Sequence, residues 1–513
     1  RVAEDAVNLG SLVLLAASTI DTATPIDKPP IRLEVPTFHI AIMNPPFTRS
    51  VGGNLQFGDF SPEARRALQD RLRRLLHGLG LTGIGQAGLS AAFIALADLY
   101  LATEGCLAMV LPKTLLSGVA WQKIRTLLIG KYHIEAVIAS FEGPDAWNFS
   151  ENTSLSEILL VAQKRALTTL DAPRTYTIFA NLWRKPRTEQ EARHLGSQLL
   201  NLRSHATHHQ LDDIDVPLFP LILSGKQVGE AYTLHLTEPT FGFYQLFAQG
   251  QLNRTTTLLR TDALHLPGAS AIHKLPLAPL ASFVSGIGPD VRQIHDTFRR
   301  SFQEHESQTD RLRQSYPALW NHKTKQIRTI SQQPNAILTS RKPEAATRLW
   351  QKGSASLLVV ERAWLATVRV LATVTSEPVL SNVWWTLRTK AIKLQDRSHL
   401  APNHVSQLLA LWFNSTPGLL LLLSHAEVTR GPWIKIKKRH LRNLSVFDFT
   451  ILTKPQVATL LKVYQEIEKQ PLKPLPREYA TPQLRRRLDG IISSILRLDT
   501  DWGSLYSKLA CDP

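Results

Sequence analysis

Cysteine is almost missing from this sequence of 513 residues. Cys106 and Cys511 lie far apart, with no Cys-x-x-Cys spacing and no Cys/His cluster, which argues against a disulfide framework and against a structural zinc site. None of the 17 histidines has His-Glu-x-x-His spacing, so no metal is expected. No apolar run approaches the roughly 20 residues that span a bilayer, and no membrane role is expected. The chain opens at Arg1 without the basic, apolar and small-residue order of a signal peptide, so the cytoplasm is the expected compartment. It also opens without an initiator methionine, and an upstream segment is expected to be missing.

Positive charge, in contrast, is abundant. The chain carries 59 Lys and Arg against 42 Asp and Glu, a formal net charge of +17. Such an excess favours a polyanionic partner, because each neutralised phosphate releases condensed counterions. Many merely basic proteins share it, so charge alone decides nothing. The length exceeds one ordinary core, and at least two domains are expected.

Apolar residues recur at helical spacing from Val2 to Ala17, and the prolines between Thr24 and Pro36 read as a connection. Residues 38–43 form a short apolar strand of buried type that ends at Asn44. Ser61-Pro62-Glu63 is a helix start, with serine as cap and proline in the first turn, leading into 64–76. A second predicted helix spans 89–103 and closes at Gly105, and strand 106–111 is stopped by Pro112. Helix 121–129 and strands 134–140 and 157–163 follow. This alternation predicts an α/β fold with a mostly parallel sheet, in which ligands sit at the carboxyl ends of strands. Beyond about residue 200 the rhythm changes. Residues 203–215 read as a linker, 297–340 are polar and poorly periodic, 345–371 are compatible with a helix, and 483–498 form a basic helix. Arg485-Arg486-Arg487 there, like Arg65-Arg66 and 71–74, reads as a solvated face. The pair Trp384-Trp385 reads as core.

The chemistry concentrates in Asn44-Pro45-Pro46-Phe47. The exocyclic nitrogen of adenine is a poor nucleophile because its lone pair is delocalised into the ring, and methyl transfer from a sulfonium needs that pair localised and aimed in line. A neutral Asn can do this with its side-chain oxygen, and the following Pro can assist with its carbonyl. Two prolines hold the turn rigid, since each ring fixes φ and restricts the residue before it. Preorganised acceptors and proximity supply the catalysis. Phe47 offers a face for an extruded base, whose target atom is unreachable inside a duplex. As a bare tetrapeptide the run could equally be a strand-terminating turn; its place after an apolar strand and before Gly52-Gly53 favours chemistry.

The run Ile42-Met43-Asn44-Pro45-Pro46-Phe47-Thr48-Arg49 resembles the bacterial N6-adenine DNA methylases of restriction-modification and phage-defence systems, which carry Asn/Asp-Pro-Pro-Tyr/Phe. The similarity continues through Gly88-Leu89-Ser90-Ala91-Ala92-Phe93 and Gly105-Cys106-Leu107-Ala108-Met109-Val110-Leu111-Pro112 to Asn152-Thr153-Ser154-Leu155-Ser156-Glu157-Ile158-Leu159-Leu160. Less specific pieces recur at Leu380-Ser381-Asn382-Val383-Trp384-Trp385 and Leu411-Trp412-Phe413-Asn414-Ser415-Thr416-Pro417-Gly418. The resemblance implies a Rossmann-like class I methyltransferase sheet, partial at the N-terminus, followed by a mixed α+β target recognition region. It implies S-adenosylmethionine as cofactor, double-stranded DNA as partner, and Asn44, Pro45, Pro46 and Phe47 as catalytic residues. The expected boundaries are a catalytic domain over 1–200, a linker over 201–215, a recognition region over 216–450 and a helical segment over 451–513.

The family's glycine-rich loop and the acidic residue ending its second strand should lie before residue 38, where the only glycine is Gly10. The cofactor-binding residues are therefore expected upstream of this chain. Three explanations stay open: the sequence is a fragment, a separate upstream methylase segment or restriction/defence subunit supplies the pocket, or catalysis is lost and a DNA-binding specificity subunit remains. His39 replaces the family's usual Asp and reads as structural. Methyltransferases of protein glutamine or RNA bases also use Asn-Pro-Pro-Tyr, but their compact size fits the large basic carboxy-terminal half less well.

Five further residues are candidates for DNA contact. Thr48 and Arg49 follow the turn, where they could meet the phosphate beside a flipped base. In 429–439 isoleucine alternates with lysine, so a strand would place Lys435 and Lys437 on one face as a phosphate track, with Arg430 free to read a base edge. The competing reading is an edge strand that lysines protect from aggregation.

Overall fold

The computed structural model describes residues 37–47, 61–143, 148–150, 156–166, 176–204, 218–234, 246–266, 272–301, 315–320, 326–430, 433–496, 498 and 502–512. The stretches read as a helix over 2–17 and a connection over 24–36 lie outside them. The fold is mixed α/β, in two units: Arg1–Gln210 with Pro217–Gly242, and Leu211–Val216 with Phe243–Pro513.

Among the described residues the first unit has a seven-stranded sheet of β1 (Phe38–Met43), β2 (Leu101–Pro112), β3 (Tyr132–Ser140), β4 (Glu157–Lys164), β5 (Thr177–Leu182), β6 (Phe219–Leu223) and β7 (Lys226–Leu234). Its order is β1-β2-β4-β3-β5-β7-β6. The parallel pair β1–β2 needs a long crossover, supplied by α1 (Pro62–Gly78) and α2 (Leu89–Tyr100). Helix α1 starts as the sequence signals, with the Ser61 hydroxyl accepting from the Ala64 amide at 3.3 Å and Pro62 in the first turn. After β2 come α3 (Gln122–Lys131) and, after β5, α4 (Glu189–Ser204).

Four expectations for this unit need correction. Neighbouring strands are mostly antiparallel, because β4 and β7 each return without a crossover helix among the described residues; only β1–β2 and β3–β5 pair in parallel. Helix α2 ends at Tyr100 rather than Thr103, since Leu101 already pairs with Phe38 in the sheet. Strand β1 is not buried: among the described residues it is the outer strand, and Phe38, Ile40 and Ile42 are 45%, 64% and 77% exposed. The boundary expected at residue 216 does not separate two units, because β6 and β7 extend the first sheet, β7 pairing along the whole of β5. Their hairpin turns at Ser224 and Gly225, both at positive φ, the geometry that matches strand twist in a two-residue loop. Of the expected linker, residues 201–204 are the end of α4, and 205–215 lie outside the described residues.

The second unit has its own sheet of eight strands among the described residues, with Ala355–Val360 and Ala372–Ser381 near its middle. Ala355–Val360 falls in the stretch read as helical. The helix stops at Gly353, and the following apolar run is covered on both faces, with Leu357, Leu358, Val359 and Val360 all 0% exposed, as expected for a central strand. Parts of 297–340, poorly periodic in sequence, form strands Phe298–Ser301, Ser315–Leu319 and Ala336–Ser340. Trp384 and Trp385 are core residues, as expected. The helices beyond residue 451 are not a separate segment, since Leu460, Tyr464, Leu488 and Leu505 belong to the same hydrophobic core as the sheet.

Arg485 is likewise not solvated. Helix Leu484–Leu496 turns it to the same side as Leu488 and Asp489, where it is 1% exposed and donates to the Asn414 and Arg369 carbonyls. Asp489, fully buried beside it, accepts from the Thr416 amide at 2.8 Å and the Tyr506 hydroxyl at 2.7 Å. Burial raises its pKa, offset in part by these donors and Arg485. Among the described residues no single helix is long and apolar enough to cross a membrane; the apolar pair Pro402–Asn414 and Thr416–Ser424 bends by 80° and lies in this core.

His425 caps the second of those helices, with Nδ1 3.0 Å from the Leu421 carbonyl. Burial, and then the Arg260 cation, lower its pKa to about 4. An unfolded chain takes up this proton near pH 6.5 and the folded one only near pH 4, so stability contributed by neutral His425 is lost as the pH falls through that window. Urea unfolding from pH 7 to pH 4 should show a steeper loss for the wild type than for His425→Gln; identical slopes would contradict this assignment.

Candidate active site

The carboxyl ends of β1, β2 and β3 face the same edge of the first sheet, because β4 lies antiparallel to both β2 and β3 and the two reversals cancel. Asn44 follows β1, Lys113 follows β2 and Phe141 follows β3, while Glu157 stands at the amino end of β4. In α/β sheets this is the edge where ligands bind.

Asn44 is exposed, Pro45 buried, Pro46 exposed and Phe47 half-buried. The turn is held from two sides. The Ser90 hydroxyl, in the first turn of α2, donates to the Pro46 carbonyl at 3.3 Å. The Ser150 hydroxyl lies 3.2 Å from Nδ2 and 3.4 Å from Oδ1 of Asn44. Ser150 is fixed in its turn by Glu157, whose Oε2 accepts from the Phe149 and Ser150 amides at 2.8 and 2.7 Å. Glu157 is 1% exposed, so these two amides stand where water would otherwise solvate its carboxyl group. The Lys185 ammonium donates to the Asn148 carbonyl and ties down the same short segment. Lys113 is 4% exposed, its ammonium 4.1 Å from the centre of the Phe141 ring, and its amide donates to the Ser156 carbonyl at 2.7 Å.

An exposed, neutral carboxamide on a rigid turn beside an accessible aromatic can accept hydrogen bonds and stack on a planar ring. The turn itself offers no titratable group. Sequence reasoning named all four of its residues and missed Ser90, Ser150, Glu157 and Lys113. An acidic residue opening an apolar strand was the available signal for Glu157. Among the described residues no cluster of three His, Cys, Asp or Glu could hold a metal ion.

The DNA-contact candidates are less coherent. Thr48 and Arg49 lie outside the described residues, as does the side chain of Arg430. The expected strand through 435–437 is shorter than its pattern: it ends at Lys435, and Lys437 precedes helix Lys438–Arg442 as its cap. Ile436 still continues the alternation, its side chain 0% exposed and its amide donating to the Glu361 carbonyl at 2.7 Å. Lys435 sits 3.7 Å from Glu361, and Lys437 sits 2.6 Å from the buried Glu427, which also takes Arg439 at 3.1 Å.

No family model and no curated protein matches this sequence. Among solved structures the chain is similar to the type IIG restriction endonuclease BpuSI, at 14% identity and a TM-score of 0.33, over 93% of this chain and 53% of that one. It is similar to the type IIL restriction-modification enzyme MmeI in complex with DNA, at 10% identity and a TM-score of 0.42, over 92% of this chain and 56% of that one. A type I restriction-modification methyltransferase subunit from Streptococcus thermophilus is similar over 37% of this chain and 36% of that one, at 20% identity and a TM-score of 0.23. The chain thus spans about half the length of the first two.

Glu157→Ala strips two interior amides of their shared acceptor and should cost about 3 kcal/mol, read by urea unfolding. Glu157→Gln keeps an acceptor oxygen and should cost about half as much.

Proposed function

We propose that this chain is the catalytic and DNA-reading part of a site-specific adenine-N6 DNA methyltransferase of a restriction-modification or phage-defence system, using S-adenosylmethionine as donor. The observation that carries the reading is the Asn44–Phe47 turn at the carboxyl end of β1, with the Asn44 amide open to solvent and the turn braced by Ser90 and Ser150. In this reading Asn44 Oδ1 and the Pro45 carbonyl accept from the amino group of an adenine extruded from the duplex, and Phe47 stacks on its ring. The acceptors leave the proton in place during attack and localise the nitrogen lone pair, so they act where the transition state differs from the ground state. Thr48, Arg49, Arg430, Lys435 and Lys437 remain proposed DNA contacts, Lys437 the weakest because Glu427 already neutralises it.

The described residues do not by themselves fit the donor. A sulfonium donor in line with the adenine needs a strand and a glycine-bearing turn beside β1, and the outer edge of β1 has no partner among the described residues. We propose that residues before β1 or a separate subunit complete this site, pack on β1 and cover Phe38, Ile40 and Ile42. Three large apolar side chains so exposed on one strand are unusual for a finished surface, and they support this part of the proposal.

A DNA-binding specificity subunit with a methylase-like fold is the second reading, favoured by the same open edge. Transfer of labelled methyl groups to DNA separates the two, tested with this chain alone and with the polypeptide encoded immediately upstream. The enzyme reading expects transfer in the supplemented reaction and a loss of at least about a hundredfold with Asn44→Ala. Sequence-specific DNA binding with no transfer in either reaction supports the specificity subunit.

A further inference from the structure

The second unit carries a small three-stranded sheet with an aromatic and basic outer face. Strands Arg362–Trp364 and Trp433–Lys435 pair antiparallel, Arg362 opposite Lys435, Ala363 opposite Ile434 and Trp364 opposite Trp433. Side chains alternate across a sheet. Ala363 and Ile434 point into the core at 0% and 1% exposure, so Arg362, Trp364, Trp433 and Lys435 share the outward side. Arg362 is exposed, Trp433 is 36% exposed, and Trp364 and Lys435 are half-buried. The two indoles lie with ring centres 5.4 Å apart, tilted by 47°. Lys435 approaches Glu361 only to 3.7 Å and keeps 31% of its side chain in solvent.

Two cations flanking one exposed and one half-buried indole are a combination for which an apolar protein partner has no use. The cations match phosphates, and the indoles match planar bases that have left a stack. Neither tryptophan nor Arg362 was recognised in the sequence, because they sit on strands 69 residues apart and only the pairing brings them together.

We propose that this face binds unpaired nucleotides of DNA, stacking a base on the Trp364–Trp433 pair while Arg362 and Lys435 take the phosphates beside it. The inference rests on the reading that this protein binds DNA, and adds single-stranded nucleotides as a ligand and this sheet as their site. Such nucleotides arise wherever a base is extruded from a duplex.

The full chain is titrated with a fluorescent single-stranded oligonucleotide of mixed sequence, and with the same sequence as a duplex, over a range of salt concentrations. Trp433→Leu keeps an apolar cover but removes the π face; it should weaken single-strand binding about tenfold with an unchanged salt slope. Arg362→Ala with Lys435→Ala should flatten that slope by about 1.4, the value for two phosphates on a single strand. Urea unfolding of each variant reports whether the sheet persists, and Trp433→Phe, which retains a stacking ring, should restore most of the affinity lost in Trp433→Leu. Single-strand binding by the wild type that all these substitutions leave unchanged overturns the inference alone. Failure of the wild type to bind either DNA overturns the inference together with the DNA reading beneath it.

Discussion

The candidate site depends on the reversal of one strand. Because β4 is inserted backwards between β2 and β3, its first residue, Glu157, arrives at the edge where β1, β2 and β3 end. A carboxylate delivered there into the interior must find donors, and it finds the amides of Phe149 and Ser150. That capture sets Ser150 against Asn44. A parallel β4 would bring its other end, Lys164, to this edge, and the Asn-Pro-Pro-Phe turn would lose the partner beside its exposed amide.

Local structure was readable from the residues, and pairing was not. Ser61 and Pro62 announced α1 because a cap and a first-turn proline act within a few residues. Asn44 and the two prolines announced a rigid turn for the same reason. The direction of β4, the extension of the sheet by β6 and β7, and the strand at Ala355–Val360 all depend on partners distant in the chain, which periodicity does not encode. The misreading of Arg485 has a related cause: three consecutive arginines look solvated, yet helical rotation sends one of them inward to the carbonyls of Asn414 and Arg369.

The basic excess also means less than its sum suggests. Lys437 and Arg439 converge on one buried glutamate, and Arg485 serves the core. What distinguishes a contact surface is the company a cation keeps. Arg362 lies beside the Trp364–Trp433 pair, Lys435 divides its charge between that face and Glu361, and Lys437 lies against Glu427.

The proposed presentation of an adenine amino group by the turn after β1 is tested most directly by mass spectrometry of nucleosides from DNA exposed to this chain together with the polypeptide encoded upstream of it. N6-methyladenine is expected as the sole new modified base. Methyl groups on cytosine instead, or methylated protein with unmodified DNA, would contradict it.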